Sequence, residues 1–530
     1  MKKDRKITGL LLLPVLTLVL CGCAKKVELS GGTVKNNLQS ITAVVTAEDL
    51  EQLDSFEQLA SADFTGSSCY RELADWSRRH PLVEVSYTVA FPGGVIAEND
   101  AHELDLTGLT DTDADEALEK LRYLPQLRKV RLGSDTDGLS PAAMLRFREA
   151  FPDLEFDYHC RFLGKESTLD ETSLDLTGVS PNRIRAAMDV IICMRDLKTI
   201  DLGSEEEGEM PWSLIRALQK ALPETELRYR FSLYGVPLTL EDEEVDISYT
   251  YVGDEWPSVL EVAECMPNLK RLLMDTCAVR NEDMATIRDA LPEAEVVWRI
   301  NFGGAYTART DETRILASSP SIGGALSNSD VAVFKYFTKM KYMDIGHNEQ
   351  ITDLSFVRYM PDLEVLIIAM NPLGDLTPLA DCEKLEYLEL FYSMTDDLSP
   401  LAGLKNLKHL NVGHCPYLKD ITAIYDLDLE RFYLGAFASC PVPPEQVDRY
   451  RELHPDCEVD NESWESSEGA WRRAANLEGE ALEWYKKQPY YSEERKNYAP
   501  RYALLRDQMG YDGLLYSTRW NDPYYQYVGW

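Results

Sequence analysis

One phrase recurs along this chain about every 22 residues, a period typical of proteins built from stacked coils. It places apolar residues at offsets 0, 3 and 5, and Leu385, Leu388 and Leu390 form one copy. Side chains alternate along a strand, so the second and third apolar residues of a copy lie on one face. A single strand cannot bury that face, and the repeat therefore predicts coils that stack and share a core. The five copies are Met340/Met343/Ile345, Leu363/Leu366/Ile368, Leu385/Leu388/Leu390, Leu407/Leu410/Val412 and Leu429/Phe432/Leu434.

A polar or small residue follows most of these strands by three positions. A buried Asn amide must be hydrogen-bonded, and the turns of adjacent coils offer backbone partners. The residues at this position are Asn348, Asn371, Ser393, Cys415 and Phe437. Phe437 cannot donate a hydrogen bond, which predicts that the array ends at its coil.

The pattern resembles the leucine-rich repeat family, in the 22-residue form of internalin-like proteins, over about residues 331–440. The resemblance implies an α/β fold: a leucine-rich repeat solenoid with a parallel concave sheet. It also implies that the protein binds a ligand through that sheet, as this group does.

A longer repeat precedes the short one. The segments PLVEVSYTVAF, PDLEFDYHCRF, PETELRYRFSL and PEAEVVWRINF begin at positions 81, 152, 223 and 292. Each unit contains three predicted strands, and the apolar period between them predicts helices on the convex side. LSPAAM, VSPNRI and RNEDMA are predicted helix starts with Ser or Asn as the cap. The helical triplets are Ala114/Leu118/Leu121, Leu214/Leu218/Leu222 and Met284/Ile287/Leu291.

The N-terminus has the features of an export signal. A basic start is followed by an apolar stretch of 14 residues, too short for an ordinary membrane-spanning helix. LCGC then resembles the lipobox of bacterial lipoproteins, with Leu20, Gly22 and the lipidated Cys23. Two acyl chains would anchor the protein stably on the extracytoplasmic face of the cell membrane. The alternative is an ordinary cleaved signal.

These features predict six segments. They are a lipoprotein signal peptide (1–22), a lipidated tether (23–48), long diverged leucine-rich-type repeats (49–316), a Gly/Ser-rich junction (317–330), short repeats (331–460) and an aromatic-rich C-terminal cap (461–530).

The charge of the chain excludes some partners. The formal net charge is −36, and removal of the basic signal brings it close to −39. Such acidity argues against nucleic acid and against contact with anionic membrane surfaces beyond the lipid anchor. The nine cysteines that follow Cys23 are odd in number and widely spread, so no disulfide framework is predicted.

The outward positions of the short-repeat strands form the predicted ligand-binding face. Aromatic and imidazole side chains are not needed on a solvated sheet, yet they cluster on three successive coils, where exposed aromatics favour binding. The alternative is that aromatic residues favour strands and stack on one another. An edge column holds His347, Met370, Tyr392, His414 and Ala436. The predicted site residues are Tyr342, Tyr387, Glu389, Phe391, Tyr392, His409, Asn411, His414, Arg431 and Tyr433.

No catalytic or metal motif is recognisable in the sequence. GxSxG, HExxH, GxGxxG and a P-loop are missing, and DTDADE (111–116) lacks the glycine and the final glutamate of an EF-hand loop. His409 and His414 are five residues apart across a strand end and His347 lies three coils away, so the three do not form one tetrahedral site. We therefore expect neither enzymatic activity nor a cofactor.

The sequence predicts noncovalent recognition of a protein or glycan at the cell surface. One rival function is a structural scaffold that docks through the aromatic tail. Another is a carbohydrate-binding lipoprotein in which Trp520 and Trp530 of WNDPYYQYVGW stack on sugar rings. A tail that packs as a cap on the last coil is the simpler alternative.

Overall fold

The computed structural model describes residues 25–318 and 323–462 together with Ser517. Contacts divide the chain into two compact units, Met1–Arg228 and Tyr229–Trp530. The predicted signal peptide, Cys23 and nearly all of the predicted cap lie outside the described residues.

The first unit alternates short strands with helices. Its strands are β1 (Lys26–Leu29), β2 (Gly32–Lys35), β3 (Ser40–Thr42), β4 (Ser61–Asp63), β5 (Glu84–Ser86), β6 (Thr88–Ala90), β7 (Ile96–Glu98), β8 (Glu103–Asp105), β9 (Lys129–Ser134), β10 (Glu155–Phe162), β11 (Lys165–Ser167), β12 (Ser173–Asp175) and β13 (Thr199–Ser204). Its helices are α1 (Ala47–Leu53), α2 (Tyr70–Arg79), α3 (Ala114–Leu121), α4 (Pro141–Ala150), α5 (Pro181–Ala186), α6 (Met188–Ile191) and α7 (Trp212–Ala221), with 3₁₀ turns at Pro92–Gly94 and Asp135–Asp137.

The second unit begins within β14. Its strands are β14 (Glu226–Leu233), β15 (Val236–Thr239), β16 (Glu244–Asp246), β17 (Arg271–Leu273), β18 (Glu295–Val297), β19 (Arg299–Phe302), β20 (Tyr306–Arg309), β21 (Arg314–Leu316), β22 (Tyr342–Asp344), β23 (Val365–Ile367), β24 (Tyr387–Glu389), β25 (His409–Asn411), β26 (Arg431–Tyr433) and β27 (Glu458–Asp460). Its described α-helices are α8 (Trp256–Ala263), α9 (Asn281–Ala290), α10 (Asn328–Val331) and α11 (Pro444–Leu453). Its 3₁₀ helices are Gly253–Glu255, Ala332–Tyr336, Ser355–Tyr359, Thr377–Asp381, Ser399–Leu401 and Thr422–Ile424.

Strands β21 to β27 form one parallel sheet in sequence order. Neighbouring strands pair in the register that the short repeat predicts, with Leu366 beside Leu388 and Leu388 beside Leu410. These central residues are fully buried, and the 3₁₀ helices stack on one another as the second layer. The α/β fold with parallel strands that the repeat predicted is confirmed here. Each short coil leaves room for only a single 3₁₀ helix between its strands.

The long repeats carry α-helices between their strands, as predicted. Helices α3, α7 and α9 lie at the three predicted periodic segments, with Leu222 and Leu291 at the C-caps of α7 and α9. Ser140 caps α4, since its hydroxyl accepts from the Ala143 amide at 3.2 Å. The expectation that Asn281 caps α9 is wrong: Arg280 holds the cap position, and the Asn281 side chain accepts from the indole N–H of Trp298 at 3.0 Å.

Two-residue turns close two antiparallel hairpins that the repeat pattern did not predict. Leu163 and Gly164 join β10 to β11, and Tyr234 and Gly235 join β14 to β15, all four with positive φ. Two successive left-handed residues match the twist of the strands they join. The hairpins add antiparallel pairs beside the parallel pairing of the long repeats. These strands belong to several small sheets.

The repeated LDLTG phrase of the long units forms a local turn at the end of a strand. Asp105 accepts from the amide of Thr107 at 3.0 Å, and Asp175 accepts from the amide of Thr177 at 3.0 Å. This aspartate turn satisfies a backbone donor where the sheet ladder stops.

The DLS and DLT phrases of the short repeats begin the 3₁₀ helices in the same way. Asp375 accepts from the Thr377 amide at 2.8 Å, and Asp397 accepts from the Ser399 amide at 2.7 Å. The aspartate thus satisfies a donor at the helix start, where no backbone carbonyl is available.

The predicted asparagine ladder is present in the first two coils of the short repeats. Asn348 and Asn371 are 1% and 0% exposed. Asn371 Nδ2 donates to the carbonyls of Ile345 at 3.0 Å and Ile368 at 3.2 Å, while Asn348 Nδ2 donates to Ile345 at 2.8 Å. The Asn371 amide therefore links its own turn to the turn before it.

The ladder weakens in the next coils and then ends. The Ser393 hydroxyl lies 3.2 Å from Cys415 Sγ, and Cys415 in turn contacts the Leu390 carbonyl at 3.4 Å. Phe437 is 57% exposed and takes no part. The sheet nevertheless continues, because β27 pairs with β26 after the longer connection through α11. The expectation that the array ends at Phe437 thus holds for the ladder and is wrong for the sheet.

Candidate functional site

The candidate site is built on the outer face of the seven-stranded sheet, meaning the face opposite the buried central residues of β22 to β26. Tyr342, Tyr387, His409 and Arg431 form one row across four of these strands. A second row contains Asp344, Ile367, Glu389, Asn411 and Tyr433. The register therefore brings all the predicted site residues of these strands onto one face.

A polar network covers the part of this face formed by β24 to β27. The Tyr387 hydroxyl donates to Glu389, and the Tyr387 ring meets the His409 ring edge-on at 5.6 Å between centroids. Arg431 Nε lies 3.7 Å from a carboxylate oxygen of Glu458. These are the chemical groups from which a binding site for a polar ligand is built.

The predicted site residues on the strands are buried, not exposed as the sequence led us to expect. Tyr387, Glu389, His409, Arg431 and Tyr433 are 0–3% exposed. Asn411 and Phe391 are also buried, and Tyr342 is half-buried.

Part of the burial comes from close packing of rings on the backbone. A Cβ added at Gly413 would lie 2.4 Å from the Tyr433 ring and 3.0 Å from the Phe391 ring. Both rings thus occupy space that the missing side chain leaves open. Together with Val365 and Ile367 they belong to one apolar cluster on the outer face.

Burial also changes the protonation of the two histidines of the site. Loss of solvent, assisted by the charges of Arg431 and Lys408, lowers the pKa of His409 from 6.5 to about 3. Burial lowers the pKa of His414 as well. Both imidazoles are therefore neutral at pH 7, when each can donate one hydrogen bond and accept one.

The exposed part of the site lies at the edge of the sheet. Four residues, one after each strand from β22 to β25, have left-handed backbones with φ of 57–62°. This edge row consists of His347, Met370, Tyr392 and His414. Its amides continue the ladder past the strands, as when the Met370 N–H donates to the Phe391 carbonyl at 2.6 Å.

The edge row ends in an aromatic stack. The Tyr392 and His414 rings are parallel to within 19°, with centroids 4.8 Å apart. Phe391 meets both rings at 4.9 Å. Tyr392 is 47% exposed, so this stack presents an aromatic surface to solvent.

In the first unit the residue at the corresponding left-handed position is glycine. Four residues after the central residue of β8 and β12 stand Gly108 and Gly178, with φ of 93° and 70°. Left-handed backbone strains any residue with a Cβ by about 1–2 kcal/mol, while glycine adopts it freely. The edge row therefore keeps large side chains at positions where glycine would be less strained. Sequence reasoning placed these residues in one column but did not include His347 and Met370 in the site.

The described residues place further limits on the chemistry. Residues 25–318 and 323–462 contain no group of three His, Cys, Asp or Glu side chains arranged to hold a metal ion. Over the same part of the chain, no helix has the length and apolar character needed to cross a membrane. The thiols of Cys382 and Cys440 are buried, which raises the pKa of each to about 12 and disfavours the reactive thiolate.

Neither a protein-family model nor a curated protein matches the chain. Among solved structures, an internalin of Listeria monocytogenes aligns at 15% identity over 70% of this chain and 84% of its own, with a TM-score of 0.25. A leucine-rich repeat protein of Leptospira interrogans aligns at 14% identity over 79% and 99%, also with a TM-score of 0.25. Internalin C2 of Listeria monocytogenes aligns at 17% identity over 47% and 84%, with a TM-score of 0.22. TM-scores this low carry no argument about this chain.

Proposed function

We propose that this chain is a lipid-anchored, extracytoplasmic protein that recognises a protein or glycan noncovalently through the edge row and the adjoining outer face. The observation that supports this most is that the left-handed position of four successive coils carries a large side chain, where glycine would be less strained. Strained residues of this kind cluster where a protein uses the side chain that the strain presents.

The aromatic stack of Tyr392 and His414 is the centre of the proposed site. Aromatic side chains bury much area with little loss of conformational freedom, and they suit either a protein side chain or the apolar face of a sugar. The neutral His414 imidazole and the neighbouring polar network add hydrogen bonds that fix the orientation of the ligand.

The test uses a double variant that removes the stack and keeps the turn. In Tyr392→Gly/His414→Gly, glycine accepts the left-handed backbone at both positions. The immobilised mature protein is exposed to a glycan array and to surface-protein extracts, and the class of ligand that binds is identified. We expect the double variant to lose affinity by at least about tenfold, as loss of an aromatic hot spot does.

A matched control comes from the 3₁₀ layer of the same coils. Tyr359, in the 3₁₀ helix Ser355–Tyr359, is 54% exposed, close to the 47% of Tyr392. Tyr359→Ala should bind as the parent does. Equal affinity of the double variant and the parent would contradict the proposed site.

The two rival functions give different outcomes in the same assay. A scaffold docked through its tail would lose binding on deletion of residues 516–530 and tolerate Tyr392→Ala. A glycan binder that uses the tail would lose sugar affinity on Trp520→Ala and Trp530→Ala.

The proposed anchor is tested separately. Cys23→Ala should move the protein from the membrane fraction to the soluble fraction and remove the acyl mass from its N-terminal peptide, because two acyl chains supply the stable attachment. A Cys23→Ala variant that still sediments with membranes would overturn the proposed localisation.

A further inference from the structure

An exposed apolar patch extends beyond the edge row onto the loops that follow β24, β25 and β26. Eleven large hydrophobic side chains are exposed in the described part of the chain, and four of them, each 45–57% exposed, lie on these three loops. The Met394 N–H donates to the Leu373 carbonyl of the preceding coil at 2.8 Å, so the loops of successive coils stack on one another. The edge patch consists of Met370, Tyr392 and His414 from the edge row together with Met394, Tyr417 and Phe437.

No charged side chain interrupts the edge patch. The loop segments 369–374, 391–395, 413–418 and 435–444 contain no Lys, Arg, Asp or Glu. Proteins rarely leave apolar patches of this kind open to water unless a partner covers them. Methionine adapts its shape to an apolar partner, and aromatic side chains bury a large area. The edge patch therefore has the chemistry of a binding surface.

A row of carboxylates borders the edge patch. In four successive coils an exposed aspartate accepts a hydrogen bond, at 2.7–2.8 Å, from the amide two residues on. This aspartate row consists of Asp353, Asp375, Asp397 and Asp420. Asp397 lies three residues after Met394, which places the two within about 11 Å of each other. Since successive coils are about 4.8 Å apart, one ligand can contact both the edge patch and several carboxylates.

The aspartate row is ionised at neutral pH. Hydrogen bonds from Thr377 lower the pKa of Asp375, and the threonine two residues after Asp420 lowers the pKa of that carboxyl in the same way. Arg358 acts on Asp375, and Lys419 precedes Asp420 in the chain. These two cations do not balance four carboxylates, so the border of the edge patch is negative.

The charge of this border distinguishes between possible occupants. An apolar centre with a charged rim is the anatomy of a protein–protein interface. Carboxylates repel the anionic lipids of a membrane surface and give a neutral sugar no advantage, whereas they attract a basic protein surface. The formal net charge of −36 acts in the same direction, because it steers positively charged partners towards the chain.

We propose that the edge patch binds a protein segment whose apolar side chains are flanked by Lys or Arg, and that the aspartate row pairs with those cations. This inference rests on the proposed function, since both use Tyr392 and His414, and it narrows the ligand from a protein or glycan to a basic protein. The apolar residues supply most of the affinity, and the aspartates select the sign of the partner's charge.

The test uses two synthetic amphipathic helical peptides of equal length with the same leucine positions. One has lysine at the remaining positions, and the other has glutamate. Their dissociation constants for the immobilised mature protein are measured at low and at physiological salt. We expect the lysine peptide to bind at least about tenfold more tightly than the glutamate peptide, and added salt to reduce the difference. Equal affinities for the two peptides, or no binding of either, would overturn the inference.

A double variant separates the aspartate row from the charge of the whole chain. In Asp375→Asn/Asp397→Asn each side chain keeps an oxygen that accepts from the amide two residues on, so the 3₁₀ helices keep their start. The matched control, Asp105→Asn/Asp175→Asn, removes the same charge from a similar aspartate turn in the first unit. We expect the first variant to bind the lysine peptide about fivefold more weakly and the control to bind it as the parent does. Equal losses in the two variants would overturn the inference.

The apolar half of the site is tested with Tyr392→Gly/His414→Gly in the same assay. If this variant loses the lysine peptide while Asp375→Asn/Asp397→Asn keeps parent affinity, the proposed function stands and the inference is overturned. Full binding by Tyr392→Gly/His414→Gly would contradict the proposed site and the inference with it. Vesicles of phosphatidylcholine, with and without phosphatidylserine, are measured in parallel. Vesicle binding that Tyr392→Gly/His414→Gly abolishes would assign the edge patch to a membrane and overturn the inference.

Discussion

The two compact units form the same turn after their strands with different residues. In the first unit the left-handed position is glycine, as at Gly108 and Gly178; in the second it carries a side chain, as at Tyr249, Met370 and Tyr392. In the edge row the amide at this position bonds to the next coil, as from Met370 to the Phe391 carbonyl, whereas the first-unit turns are closed by a local bond, as from Leu109 to the Leu106 carbonyl. The second unit therefore contains strained residues whose side chains face solvent at the edge of the sheet. We propose that this part of the chain binds a ligand, whereas the glycines of the first unit serve only the turn.

A second difference concerns the position that follows the turn. Leu109 and Val179 stand there in the first unit, and Asn348 and Asn371 stand there in the short repeats. Leu109 buries an apolar side chain, whereas the asparagines bond to buried turn carbonyls. The short coils stack closely enough for one amide to reach two turns. The short repeats therefore depend on buried polar contacts that the long repeats do not need.

Asn371→Leu should show the largest effect, because it gives the short repeats the residue type of the long ones. The substitution leaves the Ile368 carbonyl without its donor, while the Ile345 carbonyl keeps the Asn348 amide. We expect the free energy of unfolding of the second unit to fall by about 3 kcal/mol, the upper end of the cost of about 1–3 kcal/mol for a buried group left unsatisfied. Urea unfolding followed by hydrogen exchange of second-unit peptides measures this. If this variant were as stable as the parent, the asparagine ladder would be dispensable, and the short repeats would not depend on buried polar contacts more than the long repeats do.

Acid should weaken the second unit through His409. Its pKa is about 3 in the folded chain and 6.5 when free, so the unfolded chain binds the extra proton between these values. The stabilisation is complete above pH 6.5 and is lost at about 1.4 kcal/mol per pH unit as the pH falls towards 3. By pH 5 the loss should be about 2 kcal/mol. His409→Phe should remove the larger part of this dependence between pH 7 and pH 5 and leave the part due to His414, whose pKa burial also lowers. An unchanged slope in that variant would assign the acid sensitivity to other groups.

Gly178→Ala should show the smallest effect and tests the turn itself. A Cβ at Gly178 meets nothing within 4 Å, so backbone strain at φ of 70° is the only cost. We expect the first unit to lose about 1 kcal/mol, measured as a shift of its thermal transition. Gly208→Ala, at a glycine without positive φ and with open space around it, is the control and should change little. A neutral Gly178→Ala would mean that the side chains of the edge row are held without strain.

Sequence reasoning was most successful where structure is local. The period of the short repeats predicted the strands, their register and the inward leucines, because alternation along a strand depends only on neighbours in the chain. The hairpins at Leu163–Gly164 and Tyr234–Gly235 carry a weaker signal, since leucine and tyrosine seldom adopt the left-handed turn that each hairpin needs. The predicted cap of α9 was wrong because a tertiary contact competes with it: the Asn281 side chain accepts a hydrogen bond from Trp298, which lies beyond the end of the helix.

The sequence by itself determined which residues share the outer face of the sheet. Tyr387, His409 and Arg431 fall in one row because equal coil lengths repeat the same register. Only the tertiary structure decided that this row is buried and that Tyr392 and His414 remain open at its edge. Exposure depends on what packs against a side chain, and in this row side chains of neighbouring coils pack on one another, as the Tyr387 and His409 rings illustrate.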